Sequence, residues 1–533
     1  MGRKGSKRRG RREAGGAAAV GSPPAKQTKL VPDGGDGDRR ASSGRGGESL
    51  KAMPWTRWTG GELHNAKAEH QALANWKRGS FTSAAFEAYY RRQLSSHAPR
   101  GLLPEVEWPA FLSALRRPLP ATFRLNPAHP AGATLLRRLR DGEFDLPPAS
   151  TQQGRVMRSW RWRGLPLPGY LVTRCRGIPG GGAWQLGVDR AGFRAARKLP
   201  LGEALYTALA AAAAEGGAER QEVVSMLPAL LLGPLPGHRV ADLCASPGSK
   251  TGQLLEAVRP FASQQGERPQ AGLLEGSEEE GEMEEEGGLW EAADRSRVRD
   301  RARAGGGLVV ANDLDRSDRI PVLVQRLSCR PKHERAGLVV CCLPGEALPT
   351  PRFPSASLPA GSHERGYDRV LVDAPCSGDG TIRKAADVLR RWSPEPGLKL
   401  HAVQLALLRH ALEITREGGR VVYSTCTFNP IENEAVVAAA LSTLSGGPGS
   451  CVLLDAHAEM ARLQREEGLS EEERRSPRLV LRPGLRRWAV ADIPAGAEAL
   501  RWHGNAADAR RAGMDHVAAT MLARCIALTC LHA

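Results

Sequence analysis

The sequence predicts an α/β fold whose core is a doubly wound parallel sheet, preceded by a smaller α+β module. After residue 201, five short apolar runs rich in β-branched residues alternate with helical segments. Such alternation is typical of a parallel sheet covered by helices on both faces, as in Rossmann-like folds. Before residue 201, helices and a strand occur without this alternation. The predicted strands of the sheet are Arg239–Leu243, Gly307–Asn312, Leu338–Cys342, Tyr367–Val372 and Gly419–Ser424.

The helices are predicted from the spacing of apolar residues. The clearest is Leu400–Thr415, whose apolar side chains recur along one stripe. That stripe consists of Leu400, Val403, Leu407 and Ile414. The other predicted elements are the helices Phe81–Leu94, Trp108–Leu115 and Leu201–Ala214 and the strand Ala121–Asn126.

The charge of the chain points to a polyanionic partner. The sequence has 75 Lys and Arg against 58 Asp and Glu, a net charge of +17, which fits nucleic acid. Within residues 155–163, arginines alternate with Trp160 and Trp162, which fits phosphate gripping and base stacking or, alternatively, a strand with both rings in the core. The ten cysteines include no C-x-x-C pair and no Cys/His ligand spacing, and no long apolar run occurs. We therefore expect no metal site and no membrane span.

Changes in composition divide the chain into segments. The first residues form a basic run followed by Gly, Ala, Ser and Pro, which predicts a disordered tail. This run is interpreted as a nuclear-localisation signal or an arm that touches RNA, the alternative being a charged tail without a role. The predicted segments are a tail at 1–54, an RNA-recognition module at 55–200, an α/β domain at 201–460, a low-complexity acidic and basic insertion at 259–306, and a C-terminal extension at 461–533.

A tight turn follows the first strand of the predicted sheet, in the stretch DLCASPGSKTGQL. We expect Ser246 to cap the next helix, Pro247 to occupy its first turn, and Gly248 to let the backbone approach a ligand. The free N–H groups of a helix N-terminus favour an anion, so the turn predicts a ligand with a carboxylate, such as S-adenosylmethionine. The spacing matches neither a phosphate P-loop nor a dinucleotide motif. Asp313, at the end of the second strand, is placed to bind a ribose diol, and the alternative is a turn or helix cap.

Two further strands each end in a loop that carries a cysteine. Cys376 lies in DAPCSGDGTIRK and Cys426 in STCTFNPIENE. Both loops should lie at the same sheet edge as the turn, because ligands of such folds bind at the carboxyl ends of the strands. The alternative for each cysteine is a small buried apolar side chain.

Cys426 is the better nucleophile on sequence grounds. Asn429, Pro430 and Glu432 are typical of a helix start, so we expect a helix dipole just after Cys426 to favour its thiolate. A thiolate that adds to carbon 6 of cytosine makes carbon 5 able to accept a methyl group, and a second thiol can assist breakdown of the adduct. We expect Asp373 to hydrogen-bond the base, which must be unpaired or flipped to reach the site.

Together these stretches resemble the Sun-domain family of RNA cytosine-5 methyltransferases. The resemblance covers roughly 81–460 and includes RQEVVSMLPALLL, DLCASPGSKT, ANDLD, DAPCSGDGTIRK and YSTCTFNPIENEAVV. The stretches FEAYYRRQL and RRPLPATFRL make it most similar to the eukaryotic tRNA branch. The resemblance implies a Rossmann-like S-adenosylmethionine methyltransferase core and a tRNA substrate, with rRNA as the alternative. We expect a nuclear or nucleolar location, with the cytoplasm as the alternative. It implies Cys426 as the attacking thiol, Cys376 as the thiol that releases the product, and Asp373 and Lys250 as further active-site residues. The implied cofactor contacts are Cys244, Ala245, Ser246, Pro247, Gly248, Ser249, Lys250, Asp313 and Asp373.

Two departures from the family pattern bear on these expectations. After the strand Leu338–Cys342, Leu343-Pro344-Gly345 stands where the family has an acid near the cofactor adenine, and Glu346 is displaced. Relatives are expected to continue beyond Ala533, so we expect a truncated C-terminal extension. We expect a monomer. The alternative function is that of an RNA-binding assembly factor with little turnover, which needs neither thiol.

Overall fold

The computed structural model describes most of the chain from Ser83 to His503, and these described residues belong to one compact unit. The basic tail, most of residues 155–163, nearly all of the 259–306 insertion and the last residues of the chain lie outside the described part, so the interpretations of those stretches stay predictions. The described ranges are 83–95, 103–144, 161–162, 165–166, 172–174, 182–259, 307–354, 363–443, 451–466, 481–485, 488–494, 499–503 and residue 511.

The first part of the structure is α+β, as predicted. Its strands form an antiparallel sheet in the order β4-β5-β1-β6, and β2 pairs with β3 separately. Phe123 and Leu125 of the sheet are buried against Leu135 and Leu209 of two helices, because alternating apolar residues of a strand face the same side. The elements are α1 Ala84–Ser95, α2 Trp108–Leu115, β1 Pro120–Leu125, α3 Pro130–Arg140, β2 Arg161–Trp162, β3 Leu165–Pro166, β4 Val172–Arg174, β5 Ala183–Asp189, α4 Arg190–Ala196, α5 Pro200–Ala214 and β6 Ala218–Glu219.

The second part is the predicted doubly wound α/β core. Its parallel sheet has the strand order β13-β12-β7-β8-β9, so the chain starts in the middle and winds to both sides. The elements are α6 Val223–Leu232, β7 Arg239–Asp242, α7 Ser249–Val258, β8 Leu308–Asn312, α8 Arg319–Ser328, α9 Lys332–Arg335, β9 Leu338–Cys341, β10 Arg352–Pro354, β11 His363–Arg365, β12 Tyr367–Asp373, α10 Asp387–Arg390, α11 Glu395–Ile414, β13 Thr415–Ser424, α12 Glu434–Ser442, α13 Ala456–Glu466, β14 Val490–Asp492 and β15 Arg501–His503.

Helices cover both faces of this sheet, which explains the continuous apolar runs of its strands. Val240 of β7 packs against Leu254 of α7 and Leu327 of α8 on one face. The next residue, Ala241, packs with Leu407 of α11 on the other face. All five predicted strands are present, which confirms the predicted fold class.

The prediction for the long helix was wrong in two respects, its start and one residue of its buried stripe. The helix α11 begins at Glu395 rather than at Leu400, and Val403 is 45% exposed although it was assigned to the buried stripe. The buried face of α11 packs against both β12 and α12, and Val403 lies outside this face. Its members include Leu398, His401, Leu405, Leu408, Ala411 and Ile414.

Candidate active site

The two cysteines come together because their strands are neighbours. The strands β12 and β13 are parallel and adjacent, and Asp373 pairs with Ser424 at their carboxyl ends. Cys376 lies three residues beyond Asp373 and Cys426 two residues beyond Ser424. The two Sγ atoms are 3.3 Å apart, and the backbone N–H of Cys426 also points to Cys376 Sγ at 3.3 Å. The structure thus places both thiols at one edge of the sheet.

The contact between the thiols makes them chemically unequal. The hydrogen bond from the Cys376 thiol lowers the pKa of Cys426, and the positive charges of Lys384 and Lys250 lower it further against the opposing effects of burial and Asp373. The same contact, together with burial, raises the pKa of Cys376. Cys426 is therefore the sulfur with thiolate character, and Cys376 is the one that keeps its proton.

Lys250 and Asp373 form a salt bridge close to these loops. Lys250 Nζ lies 2.7 Å from Asp373 Oδ2 and 3.0 Å from Ser225 Oγ. The other carboxylate oxygen of Asp373 accepts a hydrogen bond from Ser424 Oγ at 2.8 Å. These contacts fix Asp373 at the end of its strand while leaving its side chain 33% exposed, so it remains accessible to a ligand.

The turn after β7 has the expected position but different helix geometry. The helix α7 begins at Ser249, its N-cap is Gly248 with φ of +100°, and no side chain caps its N-terminus. A Cβ at Gly248 would lie 3.0 Å from Leu323 Cδ1, so both the backbone angle and the space favour glycine there. Ser246 does not cap the helix, and Pro247 does not occupy its first turn. Ser246 lies three residues before the helix begins, and its hydroxyl donates to the carbonyl of Arg319.

Asp313 lies directly against this turn. Its carboxylate accepts the backbone N–H of Ser246 at 2.9 Å, and both of its oxygens also receive the guanidinium of Arg319. Asp313 is 4% exposed, whereas the Arg319 side chain is 51% exposed. The carboxylate therefore joins the end of β8 to the turn after β7.

Most of the predicted site residues line one cavity of about 2100 Å³. Gly248, Asp313 and Cys376 are not among the described residues of its wall, and Glu346 is exposed away from it. Within the described ranges, no group of three or more His, Cys, Asp or Glu side chains could hold a metal ion, and no helix is long and apolar enough to cross a membrane. The predicted residues in the cavity wall are Cys244, Ala245, Ser246, Pro247, Ser249, Lys250, Asp373 and Cys426.

The sequence of the second half of the core matches a known family. Residues 308–446 match the family model described as 16S rRNA methyltransferase RsmB/F. These residues are similar to the RsmB/F methyltransferase family, and we call them the RsmB/F segment. The match confirms, for this segment, the resemblance predicted from the sequence. The RsmB/F segment contains Asp313, Asp373, Cys376 and Cys426, whereas the turn after β7 precedes it.

Individual curated proteins are similar to this chain over most of its length. The chain is 31% identical over 380 residues to the multisite-specific tRNA:(cytosine-C(5))-methyltransferase of Saccharomyces cerevisiae, and the aligned residues make up 70% of this chain and 45% of the relative. It is 32% identical over 390 residues to the corresponding enzyme trm4b of Schizosaccharomyces pombe, covering 72% and 49%. The chain thus spans about half the length of these curated relatives. A solved methyltransferase homolog protein from Pyrococcus horikoshii is 21% identical, covers 68% of this chain and 79% of its own, and has a TM-score of 0.37.

Two buried carboxylates in the RsmB/F segment tie the cysteine loops together, and sequence reasoning missed their role. Asp379, in the Cys376 loop, accepts from Thr427 Oγ1 at 2.6 Å and from the backbone N–H of Phe428 at 2.8 Å. Glu432, beyond Cys426, accepts from the backbone N–H and the hydroxyl of Ser377 at 2.8 and 2.6 Å. Each loop therefore donates hydrogen bonds to an acid of the other.

The role predicted for Asn429, Pro430 and Glu432 needs correction. The helix after Cys426 begins only at Glu434, eight residues beyond the sulfur, so its dipole is not what lowers the pKa of Cys426. Asn429 uses its side-chain oxygen to accept the N–H of Ile431 and so stabilises a turn. Glu432 does not start the helix. Its buried carboxylate accepts hydrogen bonds from Ser377 of the Cys376 loop instead.

A third unforeseen acid, Asp242, ends the strand β7 beside the turn. It is buried, and one oxygen accepts from Thr251 Oγ1 at 2.8 Å, while Oδ1 has no hydrogen-bond partner among the described residues. Burial raises the pKa of Asp242 to about 7. A buried carboxylate oxygen without a partner is costly, and because Asp242 lies in the cavity wall, its Oδ1 can accept a hydrogen bond from a ligand. Its place at a strand end, within the quoted DLCASPG stretch, is the signal that could have identified it.

Proposed function

We propose that this chain is an S-adenosylmethionine-dependent RNA cytosine-5 methyltransferase that acts on tRNA and forms 5-methylcytosine. The observation that carries the proposal is the contact of two unequal thiols, Cys376 and Cys426, 3.3 Å apart beside the Lys250–Asp373 salt bridge. A binding protein would need neither thiol, and a hydrolase would need a different set of acids and bases.

The residues around the turn after β7 fit S-adenosylmethionine. The uncapped N-terminus of α7 offers N–H groups to a carboxylate, and the unpartnered Oδ1 of Asp242 offers an acceptor to an ammonium group. Asp313, bonded to the N–H of Ser246, would bind the ribose hydroxyls, and Asp373 lies beside Lys250 of α7. The proposed contacts remain those of residues 244–250, Asp313 and Asp373. When bound, S-adenosylmethionine supplies an electrophilic methyl group.

The chain's own residues would prepare cytosine for methylation. The thiolate of Cys426 forms a bond with carbon 6, the ring double bond shifts its electrons, and carbon 5 becomes nucleophilic. After carbon 5 has gained a methyl group and lost its proton, the double bond re-forms and the bond to Cys426 Sγ breaks. Cys376, which keeps its proton, assists this release by donating that proton to the departing sulfur of Cys426, and the Cys376 thiolate so formed can take up the proton that carbon 5 loses. Asp373 and Lys250 would hydrogen-bond the base.

We infer a tRNA substrate because the first curated relatives carry tRNA in their names, with rRNA as the alternative suggested by the family description. The net charge of +17 supports an RNA partner in either case. We further propose that the protein is a monomer and, from the basic run near its N-terminus, that it acts in the nucleus, with the cytoplasm as the alternative.

The thiol roles are tested with tritiated S-adenosylmethionine and a tRNA transcript. We expect Cys426→Ala to abolish methyl transfer while RNA binding survives, because the remaining cavity is unchanged. We expect Cys376→Ala to accumulate a covalent protein–RNA adduct that survives a denaturing gel, because product release fails. Cys342→Ala removes an exposed thiol outside the cavity wall and should match the wild type. Methyl transfer by Cys426→Ala would refute the nucleophile assignment.

A further inference from the structure

A second cavity, of about 180 Å³, lies on the N-terminal sheet and carries an unusual charge. Four arginines line it, and none of its described wall residues is acidic. Apart from these arginines, the wall is mainly apolar and aromatic. The arginines are Arg190, Arg194, Arg197 and Arg220.

The local sequence explains why these charges converge. In the helix α4, Arg190, Arg194 and Arg197 follow one another at intervals of four and three residues, which places them on one helix face. The helix begins directly after β5, where Asp189 accepts the N–H of Gly192 at 2.7 Å and fixes its start. Arg220 follows β6, which is hydrogen-bonded to β1 in the same sheet. The concentration of charge is therefore held by regular structure.

Aromatic rings stand between the arginines. The guanidinium of Arg197 lies 3.4 Å from the centre of the Tyr206 ring, and Phe193 is tilted against Tyr206 at 6.2 Å between ring centres. Stacking on a ring limits the motion of a guanidinium and orients its donors, so less freedom is lost when it binds an anion. Guanidinium planes and aromatic faces are also the surfaces on which unpaired bases stack.

This arginine-lined cavity adjoins the one that contains the nucleophile. Thr122, Arg190, Arg194 and Arg220 belong to the walls of both. Because the larger cavity also contains Cys426, a single wall connects the arginines to the thiol. A strand that places a base at Cys426 has a continuous surface along which to extend.

We propose that the arginine-lined cavity is a second subsite for the substrate RNA, one that holds phosphates of nucleotides flanking the target cytosine. The proposal rests on the RNA substrate of the proposed function. Clustered arginines attract phosphate oxygens and can grip them with paired N–H groups. A flanking base can stack on the aromatic neighbours of the arginines. The cavity, at about 180 Å³, has room for only part of one nucleotide.

The test is RNA binding by the double variant Arg194→Ala/Arg197→Ala. Both side chains are exposed, so the fold should tolerate their loss. The matched control is Arg137→Ala/Arg140→Ala, which removes two exposed arginines of the helix α3 that line neither cavity. Affinity for a short fluorescein-labelled single-stranded RNA is measured by anisotropy as salt rises from about 50 to about 200 mM.

We expect the plot of log affinity against log salt to become less steep by about 1.4, the value for two lost phosphate contacts at ~0.7 each. Between the lowest and the highest salt, the affinity of the double variant should therefore fall by a factor roughly sevenfold smaller than that of the wild type. The control should keep the wild-type slope, and Arg194→Lys/Arg197→Lys should recover most of it, because lysine retains the charge. Thermal unfolding of each variant confirms that the fold is retained.

Equal slopes for the double variant and the control would overturn the subsite, as would a wild type that binds no RNA. Methyl transfer by the wild type is measured on the same RNA and reports on the proposed function separately. Absent methyl transfer together with a changed slope would reject the methyltransferase and keep the subsite. Normal methyl transfer with an unchanged slope would reject the subsite and keep the methyltransferase.

Discussion

The acidity of the Cys426 sulfur depends on its immediate neighbours. The hydrogen bond from Cys376 is the largest influence that lowers its pKa, followed among the lowering influences by Lys384 and Lys250. None of these groups is adjacent to Cys426 in the sequence; two come from the Cys376 loop and one from α7. The reactive form of the nucleophile is therefore produced by the folded site.

A pH series of thiol alkylation tests this dependence. Replacing Cys376 with Ala removes the donor that stabilises the Cys426 thiolate, so the pKa of Cys426 should rise. Alkylation of Cys426 by iodoacetamide near neutral pH should then slow by on the order of tenfold per unit of pKa, and the difference should disappear well above the pKa. Peptide mass spectrometry assigns the labelled thiol, with exposed Cys342 as the internal control. An unchanged pH profile would contradict the proposed influence of Cys376.

The helix α1 extends the active site to the N-terminal part of the chain. Tyr90 donates its hydroxyl to Asp379, and Tyr89 donates to Asn429 Oδ1 at 2.8 Å. Both rings are buried in an aromatic cluster with Trp392. Because Asp379 holds the backbone just after Cys426, Tyr90 is a positioning residue for the nucleophile.

Tyr90→Phe removes only the hydroxyl and preserves ring packing. We expect kcat for methyl transfer to fall roughly tenfold with little change in KM, since Asp379 loses a donor and the Cys426 loop becomes less well fixed. We expect stability to fall by about 1.5–3 kcal/mol, the usual worth of a hydrogen bond to a charged group. Tyr89→Phe is the matched control, because it loses a hydroxyl from the same cluster but one bonded to a neutral amide. A similar fall in kcat for both variants would argue for a general structural effect.

At the scale of the whole molecule, a buried ion network joins the N-terminal sheet to the α/β core. Arg330 pairs with Glu219 of β6 and Glu256 of α7, and Arg124 of β1 pairs with the same two acids. Arg330 is 4% exposed at its side chain. The members of the network are Arg124, Glu219, Glu256, Arg326, Arg330 and Glu334. Such a network fixes how the arginine-lined cavity and the thiols face each other.

Removing the central cation of this network should be costly. Arg330→Met removes one of the two arginines that Glu219 and Glu256 share and leaves their buried charge less well balanced, so the free energy of unfolding should fall by about 3–5 kcal/mol. Urea unfolding measures this loss, and Arg391→Met, at an exposed position, should change stability by no more than about 0.5 kcal/mol. A loss below about 1 kcal/mol for Arg330→Met would show that Arg124 and Arg326 are sufficient by themselves.

The sequence predicted what depends on short-range pattern. Apolar runs rich in β-branched residues located all five strands, and the rule that ligands bind at strand carboxyl ends predicted that Cys376 and Cys426 would lie at one edge. Helix starts were less accurate, because Ser246 donates to Arg319, 73 residues away, and Asn429 accepts from Tyr89, 340 residues away, and only the tertiary fold determines these bonds. The link from Tyr90 to Asp379 spans 289 residues, and no local pattern could reveal it.

The parallel pairing of β12 with β13 has a consequence for how this chain can vary. Asp373 and Ser424 are in register, so the number of residues between each of them and its cysteine determines whether the two sulfurs meet. One inserted residue in either loop would carry a thiol several ångströms along the chain and separate the pair, even if every side chain were retained. Descendants of this sequence should therefore tolerate substitutions in these loops more readily than changes in their length.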